Sequence, residues 1–155
     1  MGQILTKNVL IDVIKNLKEN NVKIAATNGC FDILHVGHVK YLKEARKCGD
    51  VLVVGLNSDV SVKMLKGETR PINPQDDRAQ VLAALNCVDY VVLFDEISPV
   101  ELLKSIKPDV YVKGADYTLE TLPEAKPLLA LGIDIKFVDF VAGKSTSNII
   151  KKSQM

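Results

Sequence analysis

Short apolar runs rich in valine and isoleucine recur along the chain and alternate with segments of helical periodicity. The runs lack the alternation of polar and apolar residues that marks a half-exposed strand, so they are typical of strands buried on both faces of a parallel sheet. Because parallel strands need long crossover connections, this alternation predicts repeated strand-helix-strand units. The five predicted strands cover residues 24–27, 51–56, 90–94, 110–112 and 135–138.

Capping residues and prolines mark where the intervening helices begin. Thr6 stands before an amphipathic stretch that carries Leu10 and Ile14 at helical spacing. Asn73-Pro74 and Ser98-Pro99 each place a capping residue before a proline at the first helical position. Together with the strands, these helices predict an α/β fold, a Rossmann-like, doubly wound parallel sheet of five strands.

Length and charge limit the domain count and the class of partner. The chain has 155 residues, the size of one domain, which we divide into an N-terminal helix over 1–21 and a catalytic core over 22–152. Its 20 basic and 19 acidic residues leave a formal net charge of +1, so no overall basic field favours nucleic acid. No apolar run reaches the ~18 residues of a membrane span, and no signal-peptide pattern opens the chain. These features, with three cysteines and no CxxC, predict a cytoplasmic protein without a membrane partner.

The segment after the first predicted strand, TNGCFDILHVGH, carries the most informative motif. His35 and His38 are three residues apart, so they share one face if a helix begins there. Gly37 allows a ligand close to the backbone, and the turn at 28–29 leaves amides available. Imidazoles and amides at the positive end of a helix suit a polyphosphate. Two surface histidines at a helix start are the simpler interpretation, and a zinc pair lacks a convincing third ligand, so no metal ligand is predicted.

In its wider context this motif resembles the HxGH motif of the nucleotidyltransferase superfamily. The resemblance is carried by NGCFDILHVGHVKYL, GDVLVVGLNSD, LKGETRPINPQDDR, VDYVVLFDE, PDVYVKGADY and GKSTSNII. It is closest to the heptose 1-phosphate adenylyltransferases, which move AMP from ATP to D-glycero-β-D-manno-heptose 1-phosphate and release pyrophosphate. The alternatives are a cytidylyltransferase for a polyol or amino-alcohol phosphate and a non-catalytic nucleotide-sensing module.

The resemblance and the chemistry of the side chains together predict a set of site residues. Lys66 and Arg70 lie in a stretch (63–71) that we interpret as a mobile loop closing over phosphate. The Gly-Lys-Ser run at 143–145 is not a P-loop, because Val138 stands where the motif needs glycine, but it retains a helix N-terminus suited to phosphate. The predicted catalytic residues are His35, His38, Lys66 and Arg70. The predicted nucleotide-binding residues are Asn28, Gly29, Phe31, Asp32, Gly37, Asn57, Gly114, Asp116, Lys144, Ser145 and Thr146. The predicted acceptor-binding residues are Cys30, Lys66, Arg70 and Arg78.

The resemblance also implies a cofactor and partners. Mg²⁺ is expected to accompany ATP, and a sugar 1-phosphate is expected as the second substrate. Asp32 is expected to orient the metal or a histidine, or to form the turn. The heptose enzyme often occurs fused to a sugar kinase. Because the chain shows no kinase segment, we expect a stand-alone homodimer whose acceptor is supplied by a separate sugar kinase and phosphatase.

Overall fold

The computed structural model describes residues 1–139 and 145–154. Its centre is a six-stranded sheet in which every neighbouring pair of strands is parallel, in the order β1-β4-β3-β2-β5-β6. The strands are β1 (Gln3–Ile4), β2 (Ile24–Gly29), β3 (Val51–Asn57), β4 (Tyr90–Phe94), β5 (Val110–Gly114) and β6 (Asp134–Val138). The predicted doubly wound α/β fold is therefore confirmed.

Helices connect the strands and cover the sheet. Thr6 caps the first helix as predicted, since its Oγ1 accepts a hydrogen bond from the Val9 amide. Gly67 ends the third helix with φ +102°, a left-handed conformation that glycine adopts without strain. The helices are α1 (Lys7–Glu19), α2 (Val36–Arg46), α3 (Asp59–Lys66), α4 (Gln75–Ala83), α5 (Val100–Ile106), α6 (Ala125–Ala130) and α7 (Thr146–Ser153).

Two apolar clusters bury the two faces of the sheet. On one face, α1, α5 and α6 contribute side chains that include Leu10, Leu103 and Leu128. On the other face, α2 and α4 contribute side chains that include Leu42 and Leu82. Because both faces are covered, the central strands consist of apolar residues without alternation, which is why they were recognisable in the sequence.

Three local predictions need correction. The sheet has six strands instead of five, since Gln3–Ile4 pairs with β4; two exposed residues carry no periodic signal. Residues 59–66 form a helix capped by Ser58, so only the segment after Lys66 is a loop. The caps of α4 and α5 are Pro74 and Pro99 instead of Asn73 and Ser98, each one residue later than predicted.

The topology determines where a ligand binds. From β2 the chain first moves through β3 and β4 on one side and later through β5 and β6 on the other, so β2 and β5 flank the switch point. Ligands of doubly wound sheets bind beyond the carboxyl ends of the strands at this point. Within the described ranges, no helix is long and apolar enough to cross a membrane.

Candidate active site

A cleft of about 610 Å³ opens beyond the carboxyl ends of the central strands. This volume falls in the usual range for small-molecule sites, about 300–1,000 Å³. The cleft brings together most of the residues predicted from sequence. The predicted residues that line it are Asn28, Gly29, Cys30, Phe31, Asp32, His35, Gly37, His38, Asn57, Lys66, Arg70, Ser145 and Thr146.

The two histidines stand at the start of α2, and the helix start itself determines their tautomers. His35 is the N-cap, and its Nδ1 accepts a hydrogen bond from the Gly37 amide at 3.1 Å. The Nδ1 of His38 accepts from the His35 amide at 3.3 Å. A neutral imidazole that accepts through Nδ1 carries its proton on Nε2. Each ring is therefore a neutral Nε2–H donor.

The rings of this pair pack against each other. Their centroids are 3.8 Å apart and their planes differ by 26°. The edge of Phe31, whose φ is +45°, contacts His38 with centroids 5.1 Å apart. The same ring covers Gly29 so closely that a Cβ there would lie 2.7 Å from it. Phe31 thus packs against the histidine pair from one side, and a larger residue at position 29 would have to displace the Phe31 ring.

Burial keeps His38 neutral. Desolvation, reinforced by the neighbouring His35, lowers the pKa of His38 from 6.5 to about 4. At neutral pH its ring is therefore uncharged, in agreement with the Nδ1 acceptor role in the helix cap.

This pKa shift predicts a pH dependence of stability. The unfolded chain takes up a proton at this histidine near pH 6.5, whereas the folded chain resists protonation down to about pH 4. The free energy of unfolding is therefore expected to fall as the pH drops through this window, because the unfolded state binds more protons there. Urea unfolding of the wild type and of His38→Asn from pH 7.5 to 4.5 measures it. A decline of equal size in both proteins would contradict the assignment.

Asp32 organises the loop that carries Arg70. Its fully buried carboxylate accepts from Arg70 Nε at 2.8 Å and from the amides of Ile72 and Asn73. Burial alone would raise the pKa of Asp32, but the Asn73 and Ile72 amides and the Arg70 guanidinium outweigh it and lower that pKa. Of the roles expected for Asp32, the structure supports a structural one: it positions Arg70 at the cleft wall.

The start of the last helix also lines the cleft. Ser145 caps α7 by accepting from the Asn148 amide. The Thr146 hydroxyl donates to the Ile33 carbonyl at 2.9 Å, which ties α7 to the segment before α2. The Ser147 hydroxyl, which is not among the predicted site residues, accepts from Arg70 Nη1 at 3.5 Å. The predicted phosphate contact of Lys144 lies outside the described residues.

Two predicted ligand residues are engaged within the protein. Arg78 is 2% exposed and does not line the cleft; its guanidinium donates to the carbonyls of Asn73, Cys30 and Asn57 and to the Asp59 carboxylate. Arg78 instead lines a neighbouring pocket of about 410 Å³, and its predicted contact with the acceptor stays a prediction. The Asn57 side chain does face the cleft, although its Nδ2 donates to Ser61 Oγ at 2.8 Å.

Cys30 lines the cleft as an uncharged thiol. Burial raises its pKa above the usual value, against the opposing influence of Lys66, Arg78 and Arg70. The thiol therefore offers a small, weakly polar surface at this position and not a thiolate nucleophile.

The end of β5 and the turn that follows it differ from expectation. Gly114 and Asp116 do not line the cleft, and Asp116 is exposed. Lys113 and Tyr117 line it instead, with the Lys113 ammonium 5.7 Å from the Tyr117 ring centroid. Burial lowers the pKa of Lys113, although Glu124 and Asp116 oppose that shift. Neighbours of the two predicted residues therefore face the cleft, and the predicted nucleotide contacts of Gly114 and Asp116 stay predictions.

Three comparisons place this geometry among known proteins. Residues 26–152 match the cytidylyltransferase-like family. The bifunctional protein HldE of Wolinella succinogenes is 51% identical over 154 residues, which are 98% of this chain and 31% of that protein. The bifunctional protein HldE of Aliarcobacter butzleri is 62% identical over 134 residues, 85% of this chain and 27% of that protein. The chain therefore spans less than a third of the length of these relatives.

A solved structure has the same fold. It is the crystal structure of the lipopolysaccharide core biosynthesis protein from Thermoplasma volcanium GSS1, with a TM-score of 0.63 and 33% sequence identity. The match covers 77% of this chain and 97% of that one.

Proposed function

The chain belongs to the cytidylyltransferase-like family, and from that membership we propose that it transfers AMP from ATP to D-glycero-β-D-manno-heptose 1-phosphate, giving ADP-heptose and pyrophosphate. The 51% and 62% identity to proteins named HldE supports the choice of substrates. A structural neighbour from lipopolysaccharide core biosynthesis supports it further.

One observation carries the proposal: two neutral imidazoles, both with their Nδ1 atoms used by backbone amides, stand at the N-terminus of α2 inside the cleft. Such a pair can donate two Nε2–H hydrogen bonds to phosphate oxygens without a change in protonation. The positive end of the helix macrodipole acts in the same direction. The Arg70 guanidinium, oriented by Asp32, adds a full positive charge.

The proposed reaction needs alignment more than proton transfer. An oxygen of the sugar 1-phosphate attacks the α-phosphorus of ATP, the bond to the bridging oxygen breaks, and pyrophosphate leaves. The nucleophile is already ionised near neutral pH, since the second pKa of a phosphate monoester is about 6. The protein therefore contributes by holding two anions together and by stabilising the charge that develops toward pyrophosphate.

The residues divide this work between them. We assign the Nε2–H donors of His35 and His38 to the α- and β-phosphates. The Arg70 guanidinium, which also donates to the Ser147 hydroxyl, is assigned to bind phosphate. Lys66, exposed at the end of α3, is assigned to neutralise phosphate at the cleft mouth. Ser145 is assigned to the β/γ end, and Thr146 to the positioning of Ile33.

Mg²⁺ is proposed to enter with the nucleotide. Among residues 1–139 and 145–154 there is no group of three or more His, Cys, Asp or Glu that could hold a metal ion. Both oxygens of Asp32, the carboxylate nearest the histidine motif, already accept hydrogen bonds. The described residues thus do not fit a metal site formed by the protein, whereas a triphosphate is a normal carrier of Mg²⁺.

A two-dimensional substrate screen tests the proposal. Pyrophosphate release is measured for ATP, CTP, GTP and UTP, each combined with heptose 1-phosphate, glucose 1-phosphate and glycerol 3-phosphate. We expect turnover well above background with ATP and heptose 1-phosphate. CTP with glycerol 3-phosphate is the competing pair, because the family is named for cytidylyl transfer. Binding of ATP without pyrophosphate release for any acceptor would instead indicate a sensing module.

By the same resemblance we propose that the protein acts in the cytoplasm as a homodimer. Size-exclusion chromatography with light scattering measures the oligomeric state. A monomer at all concentrations would contradict that part of the proposal.

A further inference from the structure

The order of the strands divides the cleft into two sides. Because β2 lies between β3 and β5, groups that follow β3 and β4 line one side, and groups at and beyond the end of β5 line the other. We call these the β3 side and the β5 side. The β3 side is lined by Leu65, Lys66 and residues 97–99, and the β5 side by Lys113, Tyr117 and Glu124. The histidine pair follows β2 and therefore stands between the two sides.

The β5 side combines an aromatic ring with charges that offset each other. The Tyr117 ring is 38% exposed, and nucleobases stack on exposed aromatic rings. The Lys113 ammonium lies 5.7 Å from the centroid of this ring. Glu124 and Asp116 oppose the effect of burial on the Lys113 pKa, so both carboxylates act on this ammonium. One cation and two carboxylates leave no net positive charge for a phosphate, so this side suits an uncharged nucleoside.

The β3 side suits the phosphate of the acceptor. Lys66 is exposed at the end of α3 and lines the cleft. Burial raises the pKa of the Cys30 thiol, and the charges of Lys66 and Arg70 oppose that shift, so two cations act at the same place. With the sugar phosphate on this side and the α-phosphorus at the histidine pair, the nucleoside of ATP occupies the β5 side.

Glu124 is a carboxylate on the β5 side that has few partners in the protein. It is 9% exposed and lines the cleft. The Tyr111 hydroxyl lies 3.2 Å from Glu124 Oε2 and also contacts Asn28 Oδ1, and its single proton can be donated to only one of these oxygens. No other described residue donates a hydrogen bond to this carboxylate. Burying a carboxylate so sparsely paired costs free energy unless a ligand supplies further donors.

We propose that the Glu124 carboxylate accepts hydrogen bonds from the ribose hydroxyls of the nucleotide and so selects a ribonucleotide over a deoxyribonucleotide. Two vicinal hydroxyls match the two oxygens of one carboxylate, which have about four acceptor positions between them. An acidic side chain binds the ribose of dinucleotides by the same chemistry in other doubly wound sheets. This inference rests on the proposed function, because it assumes that a nucleoside triphosphate occupies the cleft.

A comparison of ATP with 2′-deoxy-ATP and 3′-deoxy-ATP tests this inference. Calorimetric titration with Mg²⁺ and without acceptor measures the Kd of each nucleotide. The wild type is expected to bind ATP about 10-fold more tightly than either analogue, because each analogue loses a hydrogen bond to a charged group. In Glu124→Gln this preference should fall several-fold, since glutamine removes the charge and replaces one acceptor by a donor. Glu120→Gln, an exposed glutamate in the same segment, is the matched control and should keep the wild-type preference.

The same titrations with CTP and 2′-deoxy-CTP separate this inference from the proposed function. Turnover with CTP instead of ATP, together with a ribose preference that depends on Glu124, would overturn the proposed substrate and leave the role of Glu124 intact. An equal ribose preference in the wild type and in Glu124→Gln would overturn the role of Glu124, whichever nucleotide reacts. Equal affinity of the wild type for ATP and both analogues would do the same. No binding of any nucleotide by the wild type would overturn both proposals.

Discussion

Replacing His38 by asparagine is expected to lower kcat by about 10²- to 10³-fold, the usual effect of losing one donor to a developing charge. The side-chain oxygen of asparagine lies near the position of the imidazole Nδ1, so it continues to accept from the His35 amide and to support the start of α2. The donor at Nε2 is lost. Because that donor acts most strongly in the transition state, kcat should fall further than the KM for ATP rises. Steady-state pyrophosphate release measures both constants.

Two further variants make this result interpretable. His38→Gln carries its amide about as far from the backbone as Nε2, so it should retain more activity than His38→Asn while supporting the helix cap less well. Lys40→Ala, at an exposed position on the same helix, should leave kcat unchanged. Near-normal turnover in His38→Asn would remove this histidine from the mechanism, whatever the other variants do.

The fold could be predicted from sequence because its determinants are local and repeated. Strands that are buried on both faces appear in the sequence as apolar runs. The position of Thr6, just before an amphipathic stretch, is enough to predict a helix cap. The missed strand, Gln3–Ile4, has only two residues, both exposed, so neither periodicity nor burial marks it. Residues 63–66, at the end of α3, are all exposed and include Lys63 and Lys66, which is why the sequence indicated that the loop begins there.

The site could be located but not fully assigned. The histidine pair was recognisable because its motif fixes chemistry, spacing and helix position at once. The function of a lone charged residue depends instead on what surrounds it after folding. Glu124 lies in an ordinary-looking segment, and only the folded structure shows that it lines the cleft beside Tyr111 of β5. The pairing of Asp32 with Arg70 likewise joins residues far apart in the chain.

Arg78 is a second charged residue whose function depends on its surroundings after folding. The sequence suggested a ligand contact, whereas the hydrogen bonds of Arg78 in the structure are to other residues of the protein. Its guanidinium donates to the Cys30 carbonyl just after β2, to the Asn57 carbonyl at the end of β3, to the Asp59 carboxylate at the start of α3, and to the Asn73 carbonyl just before α4. Of these residues, Cys30 and Asn57 line the cleft. Five fixed donors on a planar group suit four acceptors in different directions, whereas a single ammonium cannot reach them all.

We therefore expect Arg78→Lys to lower the free energy of unfolding by about 3 kcal/mol, because it leaves buried carbonyls without donors. Arg46→Lys is the matched control: its partly exposed ion pair with Asp89 should make that change worth no more than about 1 kcal/mol. Urea unfolding of both variants measures the difference. A ligand contact would give the reverse pattern, with lysine retaining the charge, stability unchanged and the KM for the sugar phosphate raised. Wild-type stability in Arg78→Lys would thus restore the acceptor-binding role that the sequence suggested.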